Sequence, residues 1–334
     1  MYQRNKQEKR LFFVWGGGTP SQLDKEDFET IFYYLHKNYS ISSHPEITLE
    51  ANPDDLTPDY IAMLRTLPFN RLSMGIQTFN ESILKVLQRR HTARQAIEAF
   101  QNCRAAGFQN ISIDLMYGLP GETLSTWQQD LDQALLLHPE HLSAYHLIYE
   151  EDTVLWKLRE QHKVEEADED LSVSLFSTLI DRLTSEGYDH YEISNFSLPG
   201  LYSRHNSSYW TEKKYLGCGP SAHSYNGVSR QWNVASLDTY IKGISAGTPV
   251  FEIEELDLYT RYNDFVITRI RTEWGMPLSK LRDEFGEKLY DYCLRMAAPH
   301  LKQGTLELVN DILKLTRKGI FISDGIMSDM LWTD

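Results

Sequence analysis

Apolar residues recur along the chain with two different periods. Short apolar runs at Leu11–Trp15, Ile47–Ala51, Leu72–Ile76, Ile111–Leu115 and Leu142–Leu147 predict strands. Between them the spacing turns helical. Phe28, Ile31, Phe32 and Leu35 fall on one helix face behind Asp24, a good N-cap. Thr57-Pro58 joins an N-cap to a proline at the first helical position. Ile83, Val86 and Leu87 share the next face, Thr92 can cap a helix ending at Gly107, and Trp127, Leu131, Ala134 and Leu135 stripe another. This alternation predicts an α/β fold with a parallel sheet or barrel and right-handed crossovers.

Past Leu147 the pattern changes. An acidic helix over Ala167–Glu186 precedes a strand over Tyr188–Asn195, and Leu198–Asn226, rich in Gly, Ser, Asn and aromatics, reads as loop. Glu252–Asp257 marks a boundary. Beyond it, three helix patterns, a strand pair near Leu306–Lys314 and the segment Leu315–Gly319 suggest a small winged-helix-like module. Three parts result: residues 1–165, 166–255 and 256–334.

The 334 residues suffice for one large α/β domain and a small one. No stretch of about 18 apolar residues occurs, so stable membrane insertion is not expected. Met1–Arg10 lacks the apolar core of a secretory signal. The net charge of −14 disfavours a nucleic-acid backbone as main ligand and suits solubility. The three cysteines, Cys103, Cys218 and Cys293, show no metal-type spacing. So few cysteines and no secretion signal suggest a cytoplasmic location. Cys103 lies on an apolar helix face, whereas Cys218 sits between two glycines, nearer to a possible ligand.

Candidate chemistry gathers at the strand ends. Gly16-Gly17-Gly18-Thr19-Pro20 closes the first strand with a turn that bares backbone N–H groups. Glu50, Gln77 and Asp114 end the next three strands, and Arg89 follows on a helix. In a β/α barrel, functional groups collect at those ends. Glu50 can accept bonds from a ligand amine or hydroxyl, or pair with Arg71 or Arg89.

The glycine turn resembles that of the radical S-adenosylmethionine (SAM) proteins related to oxygen-independent coproporphyrinogen III oxidase. So do Leu49–Pro53, Arg71–Gln77, Asp114–Gly121 and Tyr191–Phe196. The likeness runs from about Leu11 to the C-terminus and implies an incomplete (β/α)6 partial barrel with a HemN-like C-terminal domain. It places Gly17, Gly18, Thr19, Glu50, Gln77, Arg89 and Asp114 in the SAM site. It also implies a [4Fe–4S] cluster on a Cys-x-x-x-Cys-x-x-Cys loop preceded by a strand. This chain contains neither, so it is expected to expose one sheet edge and not to carry out radical SAM cleavage. Met1–Arg10 resembles the tail of the helix that follows that loop, as in a shortened chain.

Tyr191–Phe196, His205-Asn206-Ser207-Ser208-Tyr209-Trp210, Gly217–Tyr225, Arg230 and Asn233 make the chain resemble the HemW family of heme chaperones more than the porphyrinogen oxidases. In that family the His-Asn-x-x-Tyr-Trp segment is the proposed heme-binding element. The resemblance implies His205, Asn206, Tyr209 and Trp210 as heme-binding residues, with His205 a candidate iron ligand, His223 a second one, and Arg204 or Arg230 facing propionates. Three readings stay open: a carrier passing heme to an acceptor protein, a porphyrinogen oxidase, or a degenerate non-catalytic binding paralogue.

Overall fold

The computed structural model describes residues 10–333. The helix tail expected near the start falls largely on residues 1–9, outside that range. Two compact units result. One comprises residues 1–190 with 194–205, the other residues 191–193 with 206–334.

The first unit is built on β1 (Arg10–Trp15), β2 (Ile41–Ala51), β3 (Arg71–Gln77), β4 (Ile111–Tyr117), β5 (His141–His146), β6 (Asp189–Glu192) and β7 (Asn195–Ser197). They form a seven-stranded partial barrel in the order β1-β2-β3-β4-β5-β7-β6, with β1 at one end. Strands β1 to β5 are parallel, and β7 returns antiparallel to β5. The helices are α1 (Lys25–Asn38), α2 (Pro58–Leu64), α3 (Glu81–Val86), α4 (Ala93–Ala105), α5 (Leu124–Leu137), α6 (Val154–Glu160) and α7 (Glu169–Ser185).

The caps form as the sequence predicts. Asp24 makes a capping box with Asp27, Thr92 makes one with Gln95, and Thr57 accepts the Tyr60 N–H ahead of Pro58. Such caps satisfy helix N–H groups that have no intrahelical partner.

Strand pleating divides the sheet into two faces. Leu49, Leu72, Met74, Ile76, Ile111, Ile113, Leu115 and Leu142 are fully buried and supply the apolar face. The alternate positions are polar: Thr48, Glu50, Arg71, Ser73, Ser112, Asp114, His141 and Ser143. Their registers connect Glu50 to Ser73, Ser73 to Ser112, Ser112 to His141, and Asp114 to Ser143. The barrel interior is therefore a polar, partly bonded surface: Ser73 Oγ lies 3.3 Å from both Asp114 oxygens, and Ser112 Oγ lies 2.8 Å from His141 Nδ1.

One buried carboxyl gives the fold a pH signature. Glu122 Oε2 accepts the Gly118 and Leu119 N–H groups at 2.6 and 3.3 Å, and Oε1 has no partner among the described residues. Burial raises its pKa from 4.5 to about 7. Between those values the folded chain keeps a proton that the unfolded chain has released. Stability from this group is therefore full below pH 4.5 and is lost as pH rises through 7. Glu122→Gln, a mimic of the neutral form, is expected to raise stability at pH 7.5 by on the order of 2 kcal/mol and to flatten the slope between pH 4.5 and 7. Urea unfolding midpoints at several pH values check it, and an unchanged slope would count against it.

The main run of the second unit begins at Asn206, within α8 (Arg204–Trp210), a helix in the segment that reads as loop. It holds an antiparallel sheet of β8 (His223–Tyr225), β9 (Ser229–Asn233) and β10 (Phe251–Glu255), and the helix α9 (Leu237–Ser245). Next come α10 (Leu258–Ile270), β11 (Met276–Pro277) and α11 (Leu278–Gln303), which is interrupted at Gly286 where φ is 79°. The hairpin β12 (Leu306–Val309) and β13 (Ile312–Leu315) and the short helices α12 (Arg317–Ile320) and α13 (Ser323–Met330) complete it. Tyr262, Phe265, Leu281, Cys293, Leu313 and Met330 form its fully buried core.

Candidate functional site

The glycine turn leaves β1 at its C-terminal end. Gly17 and Gly18 take φ of 76° and 86°, a left-handed conformation that costs other residues about 1–2 kcal/mol. Around both, the space a Cβ would enter is open, so the backbone can be approached closely. Gly16 is different. A Cβ there would meet the Glu50 carboxyl at 2.7 Å. Glu50 thus lies against the turn, where the Gly17 N–H favours its charged form. Solvent reaches this carboxyl, yet the surrounding protein raises its pKa, aided by the charge of Asp114 and opposed by Gly17 and Arg71. Neither Arg71 nor Arg89 forms an ion pair with it.

The remaining residues of this group gather in the same part of the sheet, although Asp114 does not end its strand, since β4 runs on to Tyr117. Gln77 has a left-handed φ of 71°, where the β3–β4 register slips. Such a bulge re-aims the side chain. Its Nε2 lies beside Gly75, whose Cβ position it would approach to 3.0 Å. Arg89 donates from one nitrogen to Asn52 Oδ1 at 2.7 Å and to the Gly75 carbonyl at 2.8 Å. Its buried Nε has no partner among the described residues. Desolvation raises the Asp114 pKa, and the Ser143 and Ser73 hydroxyls and Arg71 oppose that shift. Thr19, exposed, completes the turn. An open backbone cradle, two carboxyls and an orphaned arginine N–H fit an amine- and carboxylate-bearing ligand such as SAM.

His205 lies toward the other end of the strands. Glu46 accepts the backbone N–H groups of Arg204 at 3.2 Å and His205 at 3.1 Å, and Arg204 also donates to the His44 carbonyl. The imidazole packs edge-on to Phe12, with ring centroids 5.6 Å apart. Phe12 and Glu46 are register partners, four residues before Glu50, or roughly 13 Å along the strand. Burial, then the charge of Arg71, pulls the His205 pKa down to about 4, so the ring is neutral at ordinary pH. A neutral imidazole is the form that ligates a metal.

The rest of the heme-type segment belongs to the second unit. Tyr209 is exposed and edge-on to Tyr215, with centroids 4.9 Å apart. The Arg271 guanidinium lies 4.4 Å from the Trp210 ring centroid and is fixed by Glu192 at 2.6 Å. One Trp210 face is thereby taken, and its Nε1 has no partner among the described residues. Asn206 is half-buried in the same helix. Arg230 is paired with Asp264 and is not idle, and His223 is exposed and stacked on Trp232. The Glu192–Arg271 pair leaves no signal in the sequence, since 79 residues separate the two.

The cysteines do not make a cluster site. Cys103 and Cys293 are buried in different units, and burial raises their pKa to about 12 and about 11. Cys218 is exposed and alone in its loop. Among the described residues, no group of three or more His, Cys, Asp or Glu could hold a metal ion. The residues present do not fit a [4Fe–4S] cluster, which needs thiolates.

A partial barrel with a glycine-turn ligand cradle, followed by a helical unit with a small hairpin, defines a protein of the radical SAM class. The radical SAM superfamily model matches residues 2–134, and that of the HemN C-terminal domain matches residues 256–322. The heme chaperone HemW of Lactococcus lactis subsp. lactis (strain IL1403) is 31% identical, over all of this chain and 88% of its own length. That of Bacillus subtilis (strain 168) is 30% identical, over 95% of this chain and 84% of its own. Coproporphyrinogen III oxidase (HemN) from Escherichia coli, a radical SAM enzyme, shares the fold, with a TM-score of 0.81 at 23% identity over 96% of this chain and 77% of its own. The chain belongs to the HemW family.

Proposed function

We propose that this chain binds heme through His205 and passes it to an acceptor protein, and that it keeps a SAM site at the glycine turn. The neutral His205 imidazole, heading the His-Asn-x-x-Tyr-Trp segment of a HemW-family chain, carries the reading. Tyr209 adds apolar surface near the start of the second unit. A carrier needs a ligand bond strong enough to hold iron and reversible enough to release it, and one imidazole meets that need. No helix among the described residues is long and apolar enough to cross a membrane. Absorbance titration with hemin, followed by challenge with apo-myoglobin as a model acceptor, tests the proposal. A 1:1 complex with a Soret band that moves to the acceptor supports it, and absence of a saturable complex sinks it.

SAM, when bound, supplies a sulfonium and an adenosyl group. The backbone of Gly17 and Gly18, with Glu50, Gln77, Arg89 and Asp114, would hold it. Gly17→Ala is expected to weaken SAM binding about tenfold, because a Cβ strains a φ of 76° and enters the cradle, while leaving hemin affinity unchanged. Calorimetric titration of both ligands checks this, and equal losses for the two would tie the sites together. The chain as it stands, reconstituted anaerobically, is expected to hold no stoichiometric iron–sulfur cluster. Iron and sulfide analysis decides that point. Porphyrinogen oxidation draws no support from this donor set.

A further inference from the structure

Arg71 opens β3 with a side chain only 4% exposed. Its Nε has no hydrogen-bond partner among the described residues, and the guanidinium makes no ion pair there. Arginines buried to this degree are ordinarily paired. Its register neighbour on β2, Thr48, is 2% exposed and also carries a hydroxyl with no partner among the described residues. The two orphaned polar groups stand side by side on the polar interior face.

The charges nearby are already engaged. The Asp114 carboxyl accepts the Ser73 hydroxyl and lies beside Ser143, its register partner on β5, and Glu50 lies against the glycine turn. His141 is bonded to Ser112, and the positive charge of Arg71 lowers the pKa of both His141 and His205. Arg71 is thus sensed by residues of β2, β4, β5 and α8, yet its own Nε–H has no partner among the described residues. A buried Nε–H without a partner among the described residues is a cost to the fold that no bond there offsets. A planar fork of N–H donors matches a carboxylate bidentately.

We propose that Arg71, with the Thr48 hydroxyl, is a binding group for the carboxylate of a ligand taken into the half-barrel. The assignment rests on the proposed function for its two candidate sources. These are a propionate of heme approaching from the His205 end and the amino-acid carboxylate of SAM approaching from the glycine turn. In either case Arg71 is a positioning residue whose gain appears only when the ligand brings a negative charge.

The test compares wild type, Arg71→Met and Arg71→Lys in two arms. Absorbance titrations compare hemin with hemin dimethyl ester, and calorimetry compares SAM with decarboxylated SAM. The wild type is expected to prefer the free acid roughly tenfold in one arm, Arg71→Met to lose that preference, and Arg71→Lys to keep part of it. The arm that responds names the source. Melting temperature in a carboxylate-free buffer is the second readout. Methionine fills similar volume without the charge, so Arg71→Met is expected to melt at or above the wild-type temperature. A variant that melts several degrees lower, with Arg71→Lys restoring the loss, would assign Arg71 to structure and overturn the proposal. Preference retained by Arg71→Met, or no preference by wild type in either arm, overturns it as well. Failure of wild type to bind hemin while the SAM pair still separates sinks the heme reading alone.

Discussion

Replacing His205 with alanine is expected to weaken hemin binding roughly tenfold or more, about 1.4 kcal/mol, and to shift the Soret band. The imidazole is the only part removed. The N-terminal turn of α8 is held by its backbone, through the Glu46 carboxylate to the N–H groups of residues 204 and 205, and alanine keeps both bonds. The segment should therefore stay in place while the axial bond is lost. Because the His205 pKa is near 4, the wild-type ligand is neutral above about pH 5, and hemin affinity should be flat from there to pH 8. His223→Ala is the control, since that ring is exposed and stacked on Trp232 in the other unit. If His205→Ala kept the wild-type spectrum and affinity while His223→Ala did not, the ligand would move to the second unit.

Trp127→Ala is expected to cost the first unit about 3–5 kcal/mol, the range for removing a large buried aromatic side chain. Trp127 is fully buried on α5, and its indole N–H donates to the Leu175 carbonyl of α7 at 3.0 Å. Its ring lies 5.7 Å from that of Tyr117, at the end of β4, and Tyr117 stacks on Phe176 of α7. One side chain therefore joins a strand to two helices, and alanine leaves both a cavity and a lost donor. Trp127→Phe should cost much less, because most of the volume stays. Urea unfolding followed by far-ultraviolet circular dichroism checks the pair. A loss below about 1 kcal/mol for Trp127→Ala would show that the helix layer is not pinned there.

The sequence and the structure diverge where distant residues govern local shape. Strand β2 starts at Ile41, six residues before the apolar run, because Arg10 of β1 pairs with Ile41 across a register shift. Helix α8 has no apolar face to betray it. Its Arg-His-Asn-Ser-Ser-Tyr-Trp sequence is helical because Glu46, 158 residues away, satisfies its first N–H groups. The strand expected over Tyr188–Asn195 is two strands, since the chain turns at Ile193–Ser194 and β7 pairs antiparallel with β5. The polar inner face was present as a period-two pattern in β2, β3, β4 and β5, and that signal could have singled out Arg71.

By itself the sequence determined the strand–helix alternation, the helix caps and the glycine turn. These are local properties: side-chain periodicity, N–H satisfaction within one turn, and the conformational freedom of glycine. Only the tertiary structure decided that Glu50 lies on Gly16 and Gly17, that one Arg89 nitrogen bonds Asn52 and Gly75, that Arg71 is buried with an Nε that has no partner among the described residues, and that Arg271 covers a face of Trp210. Those outcomes depend on register and on charges brought together across tens of residues. No local pattern encodes them, because the free energy of a buried polar group is set by whatever the fold places beside it.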